Sequence, residues 1–400
     1  MAAAILEEML RNDLAEMKAA SDQKDPQAVI AEVQQELDLL ENIKIDIAVT
    51  GMTGAGKSSL VNALLGMKDD DDGAAKTDVI ETTKELKEYQ YPTFPKLKIW
   101  DLPGIGTPAF KAKEYLQKVN FNKYDFFIIV ASERFTENDT KLASEIKKLN
   151  KRFYYVRTKV DVNIDSESRK RDFSEKKTLE KIWKNCCENL KALGESSPRV
   201  FLISRWDLSK YDFPLLQDTI EKEQDKIKRD VLIMFMPILT KEGIKKKKAA
   251  MESLIWKRAM LSCSVGLIPI PFLSLGCDIA ILASTMNHIC KVFGLDEASL
   301  RRLAFRVEKP VEELKSVIEN TPSTSEITTK FVTDFLQRSM VWGTVTVIEL
   351  ALDFVPIVGS LYGGGSSLLT TLYMLKGFLK DVVKDAENVQ AKAIESKRSK

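Results

Sequence analysis

Three short motifs, each standing where a β-strand should end, restrict this chain to one kind of architecture. Gly51-Met-Thr-Gly-Ala-Gly-Lys57-Ser58 follows the alternating run Ile43-Lys-Ile-Asp-Ile-Ala-Val49. Asp101-Leu-Pro-Gly104 follows Leu97-Lys-Ile-Trp100, and Thr158-Lys159-Val160-Asp161 follows Phe153-Tyr-Tyr-Val156. Further short strands are expected at Tyr124–Ala131 and Val200–Ile203, with helical stretches between them, the first from Ser58 to about Met67. Strands that alternate with helices predict an α/β fold with a mostly parallel sheet covered on both faces. Ligands of such sheets collect at the carboxyl ends of the strands, where all three motifs stand.

The first motif fits the phosphate-loop pattern Gly-x4-Gly-Lys-Ser/Thr. Gly51, Gly54 and Gly56 let the backbone curl so that its N–H groups face a phosphate, and the helix that follows adds its partial positive charge. Thr53, Gly54, Ala55 and Gly56 are therefore candidate phosphate contacts, with Ser59 beside them. Lys57 is expected to bridge β- and γ-phosphates, and Ser58 to ligate Mg²⁺ through its hydroxyl. A glycine-rich turn without a ligand is the alternative. Asp101 ends its strand where a carboxylate can hold Mg²⁺ directly or through water, and the Gly104 amide is free to sense a γ-phosphate. Asp-x-Pro-Gly is also ordinary turn chemistry.

The third motif selects the base. A carboxylate at Asp161 accepts from guanine N1–H and the 2-amino group, while the stem of Lys159 lies over the ring and Thr158 leads into the loop. Adenine lacks that donor pair and would leave a buried carboxylate unpaired, a mismatch that can discriminate by about 10⁴–10⁵. Ser204 and Arg205, just past Val200–Ile203, are placed for a backbone amide to meet guanine O6; a Ser-Arg pair after a strand is also common. GTP or GDP with Mg²⁺ is the expected ligand set.

The switch residues are less sharply marked. Thr77, Thr82 and Thr83 all lie in Lys76-Thr-Asp-Val-Ile-Glu-Thr-Thr83, and a threonine here, Thr83 foremost, would complete the Mg²⁺ shell in the GTP state. A threonine-rich strand edge is the alternative for each. The acidic run Asp69–Asp72 is read as a solvated loop, since adjacent carboxylates repel phosphates. Small regulatory GTPases position the attacking water with a glutamine after Asp-x-x-Gly, and here that position is Ile105. The positioning group must come from elsewhere: Glu81, the substrate's own groups or a partner molecule. Slow basal turnover is expected.

Composition narrows the rest. A formal charge of +2 on 400 residues gives no reason to expect a nucleic-acid partner. The five cysteines show no metal-ligand spacing and predict buried thiols in a reducing compartment. The single histidine, His288, sits in apolar sequence and reads as structural. Glu7, Glu8, Arg11 and Asp13 break any signal-peptide pattern, and Met-Ala-Ala lacks the glycine that N-myristoylation needs. A cytoplasmic protein is expected. The length predicts about two domains. Residues 1–42 are expected to form an N-terminal helical segment, with helices at Ile5–Lys18 and around Val29–Leu40. Residues 43–228 are expected to form the nucleotide domain and 229–400 a C-terminal helical domain, with Asp296 as a helix N-cap. Two charge-free stretches, Ala259–Cys277 and Phe354–Leu375, are long enough to cross a bilayer, but Pro269, Pro271 and Gly363–Gly365 favour packed helices. The run Lys245–Lys248 and the basic tail Lys392–Lys400 read as solvated charge or as contacts to anionic headgroups.

The chain resembles the interferon-inducible immunity-related GTPases. The resemblance is carried by Gly73-Ala-Ala-Lys-Thr-Asp-Val79, Trp100-Asp-Leu-Pro-Gly-Ile-Gly106, Tyr124-Asp-Phe-Phe-Ile-Ile129, Phe153–Asp161, Tyr211-Asp-Phe-Pro214 and Phe293-Gly-Leu-Asp-Glu-Ala-Ser-Leu300. It implies a GTPase domain set on an all-α domain built from both chain ends, and self-activation through nucleotide-dependent dimers whose active sites face each other. On that analogy Glu81 and Arg134 would build a catalytic interface; a solvated helix-flanking arginine is the alternative for Arg134. Lys57 places the chain with the lysine-bearing, effector-like branch. The resemblance also implies homodimers or oligomers through the nucleotide domain, association with related GTPases, peripheral attachment to intracellular membranes, and a role in defence against vacuolar pathogens.

Overall fold

The structure is a computed structural model that describes residues 26–77, 86–91, 94–105, 112–265, 273–335 and 365–395. The chain divides into two compact units, one of residues 43–240 and one assembled from residues on either side of it.

The first unit is built on a six-stranded sheet of order β2-β3-β1-β4-β5-β6. Its strands are β1 (Ile45–Gly51), β2 (Lys87–Tyr91), β3 (Phe94–Asp101), β4 (Phe126–Ala131), β5 (Arg152–Arg157) and β6 (Val200–Leu202). All neighbours are parallel except β2 and β3. The central strand β4 reads as an unbroken apolar run because helices cover both faces of a parallel sheet. Every residue of β4 is buried, and β1 is buried except at Asp46. That carboxylate accepts from Trp100 Nε1 at 2.7 Å, and its backbone N–H donates to Asp125 Oδ2 at 2.8 Å. The edge strand β2 was not legible: Lys87-Glu-Tyr-Gln-Tyr91 has no apolar alternation, and its exposed charges suit an edge that must not pair further.

Register brings the strand ends level. Val49 lies opposite both Asp101 and Ile128, and Arg157 opposite both Ala131 and Leu202. The loops after β1, β3, β4, β5 and β6 therefore open along one edge. Chain order reverses at β1, which has β3 on one side and β4 on the other, and that crevice is where open α/β sheets bind ligands.

Helix α1 (Pro26–Asn42) precedes the sheet unit. Within the unit, α2 (Lys57–Leu65) follows β1, α3 (Ala112–Lys118) follows β3, and α4 (Glu137–Lys148) follows β4. Helices α5 (Val160–Ser168) and α6 (Glu175–Ala192) follow β5, and α7 (Phe213–Lys222) and α8 (Lys226–Phe235) close the unit. Helix α6 buries Cys186, Cys187 and Leu190; both thiols, and Cys290 elsewhere, are free. The expected domain boundary at residue 228 falls inside α8. That helix buries Val231, Leu232, Met234 and Phe235, and the Phe235 ring stacks on Phe94 at 4.7 Å. This packing holds the chain in the sheet unit up to Thr240. The strand pattern ends well before that point, which is why sequence periodicity misplaced it.

The second unit is helical among the described residues. Helix α9 (Lys241–Val265) packs against α1 and against α13 (Gly365–Ile394), with α10 (Leu273–Val292), α11 (Glu297–Arg306) and the short α12 (Val311–Lys315) between them in sequence. Val33, Leu37 and Leu40 are the buried stripe of α1, and Lys257 reaches Glu36 at 2.8 Å. Asp296 caps α11 as its sequence suggested, accepting from Ser299 N at 3.1 Å. Asp385, wholly buried in α13, accepts from the backbone N–H groups of Glu319, Asn320 and Thr321 and so ties down the turn before Pro322. The basic run of α9 is not a uniformly solvated face. Lys247 is only 5% exposed and donates to Val292 O at 2.8 Å.

Among the described residues no helix is long and apolar enough to cross a membrane. Much of the two charge-free stretches, the Ile5–Lys18 helix and the tail from residue 396 lie outside the described residues.

Candidate functional site

The site begins with backbone that only glycine can form. Gly51 has φ 138°, and a Cβ there would sit 2.0 Å from Val130 O. Gly56 turns into the left-handed region (φ 90°, ψ 26°) immediately before α2, so the first N–H groups of that helix face the loop's interior. Lys57 is 6% exposed, and its ammonium donates to Met52 O at 3.1 Å. An ammonium curled over its own loop needs only a side-chain rotation to meet an anion held there.

The Asp101–Gly104 loop is sewn to this one. Leu102 N donates to Val49 O, Ile105 N to Gly51 O and Thr53 N to Ile105 O, at 2.9, 3.1 and 3.2 Å. Asp101 is fully buried, and its Oδ2 accepts from Ser58 Oγ at 2.6 Å. A hydroxyl and a carboxylate side by side are hard oxygen donors, the type Mg²⁺ prefers when it keeps several waters and takes its remaining ligands from phosphate. They fit that ion. Among the described residues no group of three or more His, Cys, Asp or Glu side chains gathers to form a cage for another metal. Tyr115 supports the loop from α3: its hydroxyl donates to Pro103 O at 2.9 Å and pairs with Thr50 Oγ1 at 3.0 Å. Burial pushes the Tyr115 pKa well above the ordinary phenol value, so it stays a donor. Ile105, at the position where small regulatory GTPases carry a water-positioning glutamine, is 1% exposed and its side chain lies in the core.

The loop after β5 closes on the phosphate loop. Thr158 Oγ1 lies 2.6 Å from Ala55 O and 3.2 Å from Ala131 O, and Lys159 Nζ donates to Gly54 O at 2.9 Å. Lys159 holds a left-handed conformation (φ 56°, ψ 31°) uncommon for a residue with a Cβ, and this turns the chain into α5 with half-buried Asp161 in its first turn. Val160 N donates to Ile203 O at 3.4 Å, which sets the loop beside the buried Ser204.

Arg205 serves a purpose that sequence did not indicate. Its guanidinium donates to Ser59 Oγ at 3.0 Å, pairs with Asp69 and lies over the Trp206 ring, 4.1 Å from its centroid. Asp69 is thus no purely solvated acid, as the reading of the Asp69–Asp72 run had it. Its second oxygen accepts from Asn62 Nδ2 at 2.8 Å, and buried Asn62 also pairs with both the N–H and the C=O of Ala75. The acidic loop is fastened between α2 and the loop after β6. A partner of opposite charge over a hundred positions away outweighs local repulsion.

Not every expected residue falls within this geometry. Glu81, Thr82 and Thr83 lie outside the described residues, and Thr77 is half-buried at the end of its segment. Arg134 is exposed on the bend after β4, at the same edge of the sheet as the other loops. Sequence reasoning missed Asn62, Tyr115 and Arg157: Tyr115 meets Thr50 from 65 positions away, whereas the hydrogen-bond partners of Asn62 and Arg157 stand within 13 positions of them.

A profile of the interferon-inducible GTPase family matches residues 10–393. The chain is 36% identical over 389 residues to Interferon-inducible GTPase 5 of Rattus norvegicus, covering 97% of this chain and 84% of that one. It is 35% identical over 372 residues to Interferon-gamma-inducible GTPase 10 of Mus musculus, covering 92% and 86%. Interferon-inducible GTPase 1 of Mus musculus is 37% identical over 290 residues, 72% of this chain and 70% of that one.

Proposed function

The chain belongs to the interferon-inducible GTPase family, and from that premise we propose that it hydrolyses GTP to GDP and phosphate while assembling with copies of itself on intracellular membranes, in cell-autonomous innate immunity. The observation that carries the reading is the 2.6 Å contact of Ser58 with Asp101 at the point where the first two motifs meet. It supports a Mg²⁺ position beside Lys57 and the N-terminus of α2.

The residues divide the work. Backbone N–H groups from Thr53 to Ser59 cradle the phosphates, with Gly54, Ala55 and Gly56 giving the loop its curl. Lys57 leaves Met52 O and pairs with the β- and γ-phosphates. Ser58 and Asp101 would hold Mg²⁺, with Thr83 as the switch ligand, and the ion would supply charge neutralisation for the phosphates. The Gly104 amide senses the γ-phosphate. Asp161 reads the guanine edge, Lys159 and Thr158 frame the ring, and the Ser204–Arg205 backbone meets O6. Glu81 and Arg134 act at the interface between two copies. Self-association also covers related GTPases as partners, and membrane attachment is peripheral.

Turnover of GTP per mole of protein, measured across a protein titration with and without liposomes, tests this. Specific activity should climb with protein concentration and climb further on liposomes. Flat, near-zero phosphate release would sink hydrolysis by assembly. One observation favours a second reading, a GTP-binding scaffold or switch with negligible hydrolysis: buried Ile105 leaves the isolated chain without the usual water-positioning amide. That same flat result would support it.

A further inference from the structure

Arg157 is the last residue of β5 and is 5% exposed. No carboxylate lies within ion-pair range of it among the described residues, although burying an uncompensated guanidinium is costly. Two hydrogen bonds account for its position. Nη1 donates to Thr158 O at 3.3 Å, and Nη2 donates to Asn163 Oδ1 at 3.0 Å. Asn163 in turn donates its backbone N–H to Lys159 O at 3.3 Å.

These contacts bracket the base-reading segment. Thr158 precedes left-handed Lys159, and Asn163 stands two residues beyond Asp161 on the first turns of α5. A left-handed non-glycine residue persists only where its surroundings over-determine it. Burial lowers the Arg157 pKa, and the electrostatic influence of Cys186 of α6, Tyr155 of β5, Glu133 of the bend after β4 and Asp139 of α4 counters the effect. Asp139 Oδ2 is held by the Thr136 cap, accepting from Thr136 N at 2.9 Å, and its buried Oδ1 takes no hydrogen bond. The hydrogen bonds of the fork go to the loop.

The geometry points to Arg157, acting through Asn163, as a positioning residue that sets guanine specificity by holding the Lys159–Asp161 turn in register. This rests on the reading of Asp161 as the base-edge acceptor. Arg157 fixes where the Asp161 carboxylate stands, and so governs whether that group can use the 2-amino donor of guanine as well as N1–H.

Inosine triphosphate is the discriminating probe, because it keeps N1–H and lacks the 2-amino group. Dissociation constants for GTP, ITP and XTP should be measured on the full chain for the wild type, Asn163→Ala, Asn163→Asp, Arg157→Lys and Asp161→Asn. Asn163 is half-buried, so its alanine variant tests the brace even if Arg157→Lys fails to fold. The preference for GTP over ITP should fall about threefold to tenfold in Asn163→Ala, with ITP affinity little changed. Asn163→Asp, which keeps an acceptor for the guanidinium, should retain the wild-type preference. A simple loss of stability would weaken GTP and ITP equally, and that outcome overturns the proposal. So does a wild-type ratio in Asn163→Ala when Asp161→Asn has shifted to XTP, since the base reading then stands without the brace. If Asp161→Asn keeps the full preference for GTP over XTP, the base reading itself fails and takes the brace with it.

Discussion

Gly104 lies against Thr53 so closely that a Cβ on it would meet Thr53 Oγ1 at 2.3 Å and Thr53 Cα at 3.0 Å. The two loops that converge on the proposed phosphates are therefore in backbone contact, and no larger residue fits between them. Gly104→Ala should push them apart and strain the bond from Thr53 N to Ile105 O. Overpacking of this kind costs about 1–3 kcal/mol. Thermal denaturation without nucleotide should show that loss, and the extra stability conferred by GTP should shrink. A variant with wild-type melting and wild-type GTP stabilisation would show that the loops separate freely.

Lys57→Ala removes the phosphate loop's own ammonium, which is turned back onto Met52 O. Truncating one side of a buried charge pair costs about 2–5 kcal/mol, so GTP affinity should drop on the order of a hundredfold. Because Lys57 bonds to Met52 O, a small change in apo stability is also expected. Titration with a fluorescent GTP analogue measures the first effect; unchanged affinity would overturn the phosphate-loop assignment.

Arg134→Ala separates an interface residue from a surface one. The side chain is exposed on the bend after β4, at the edge of the sheet where the proposed nucleotide would lie. If it acts across two facing copies, the variant should bind nucleotide normally while turnover loses its dependence on protein concentration and GTP-driven light scattering falls. The loss expected of a buried cross-subunit pair is about 2–5 kcal/mol, against about 0.5 kcal/mol for a solvated arginine. Retained cooperativity would return Arg134 to the surface.

His288 predicts a pH effect in the helical unit. Burial, with Arg258, Lys291 and Lys247 nearby, holds its pKa down at about 4, against 6.5 for an ordinary imidazole. The unfolded chain takes up this proton below about pH 6.5 and the folded chain only near pH 4, so stability is complete above 6.5 and falls as pH drops between the two values. The contribution is on the order of 2–3 kcal/mol. Urea denaturation at pH 7 and pH 4.5 should show a smaller loss for His288→Gln than for the wild type. Equal losses would mean that His288 titrates normally.

The proposed nucleotide contacts were legible because their chemistry is local. A phosphate loop needs its glycines, lysine and serine in one run, since successive N–H groups and a helix start form the cradle. The Thr158–Asp161 motif carries its meaning in its own carboxylate. The parallel sheet was legible for a related reason: strands covered on both faces must be apolar throughout, as Phe126–Ala131 is. Where burial is partial, as in edge strand Lys87–Tyr91, that signal vanishes.

Sequence alone thus determined the α/β class, the motif order and the preference for a guanine nucleotide, all of which rest on neighbours in the chain. Tertiary structure decided that Asp69 is held by Arg205 across 136 positions, that Asn62 pins Ala75, that Lys247 is buried, and that the sheet unit runs on to Thr240. The physical reason is common to these cases. Whether a charged or amide side chain is solvated, paired or braced depends on which distant groups packing brings within about 3 Å of it, and hydrogen-bond energy falls off too steeply for chain proximity to stand in for that distance.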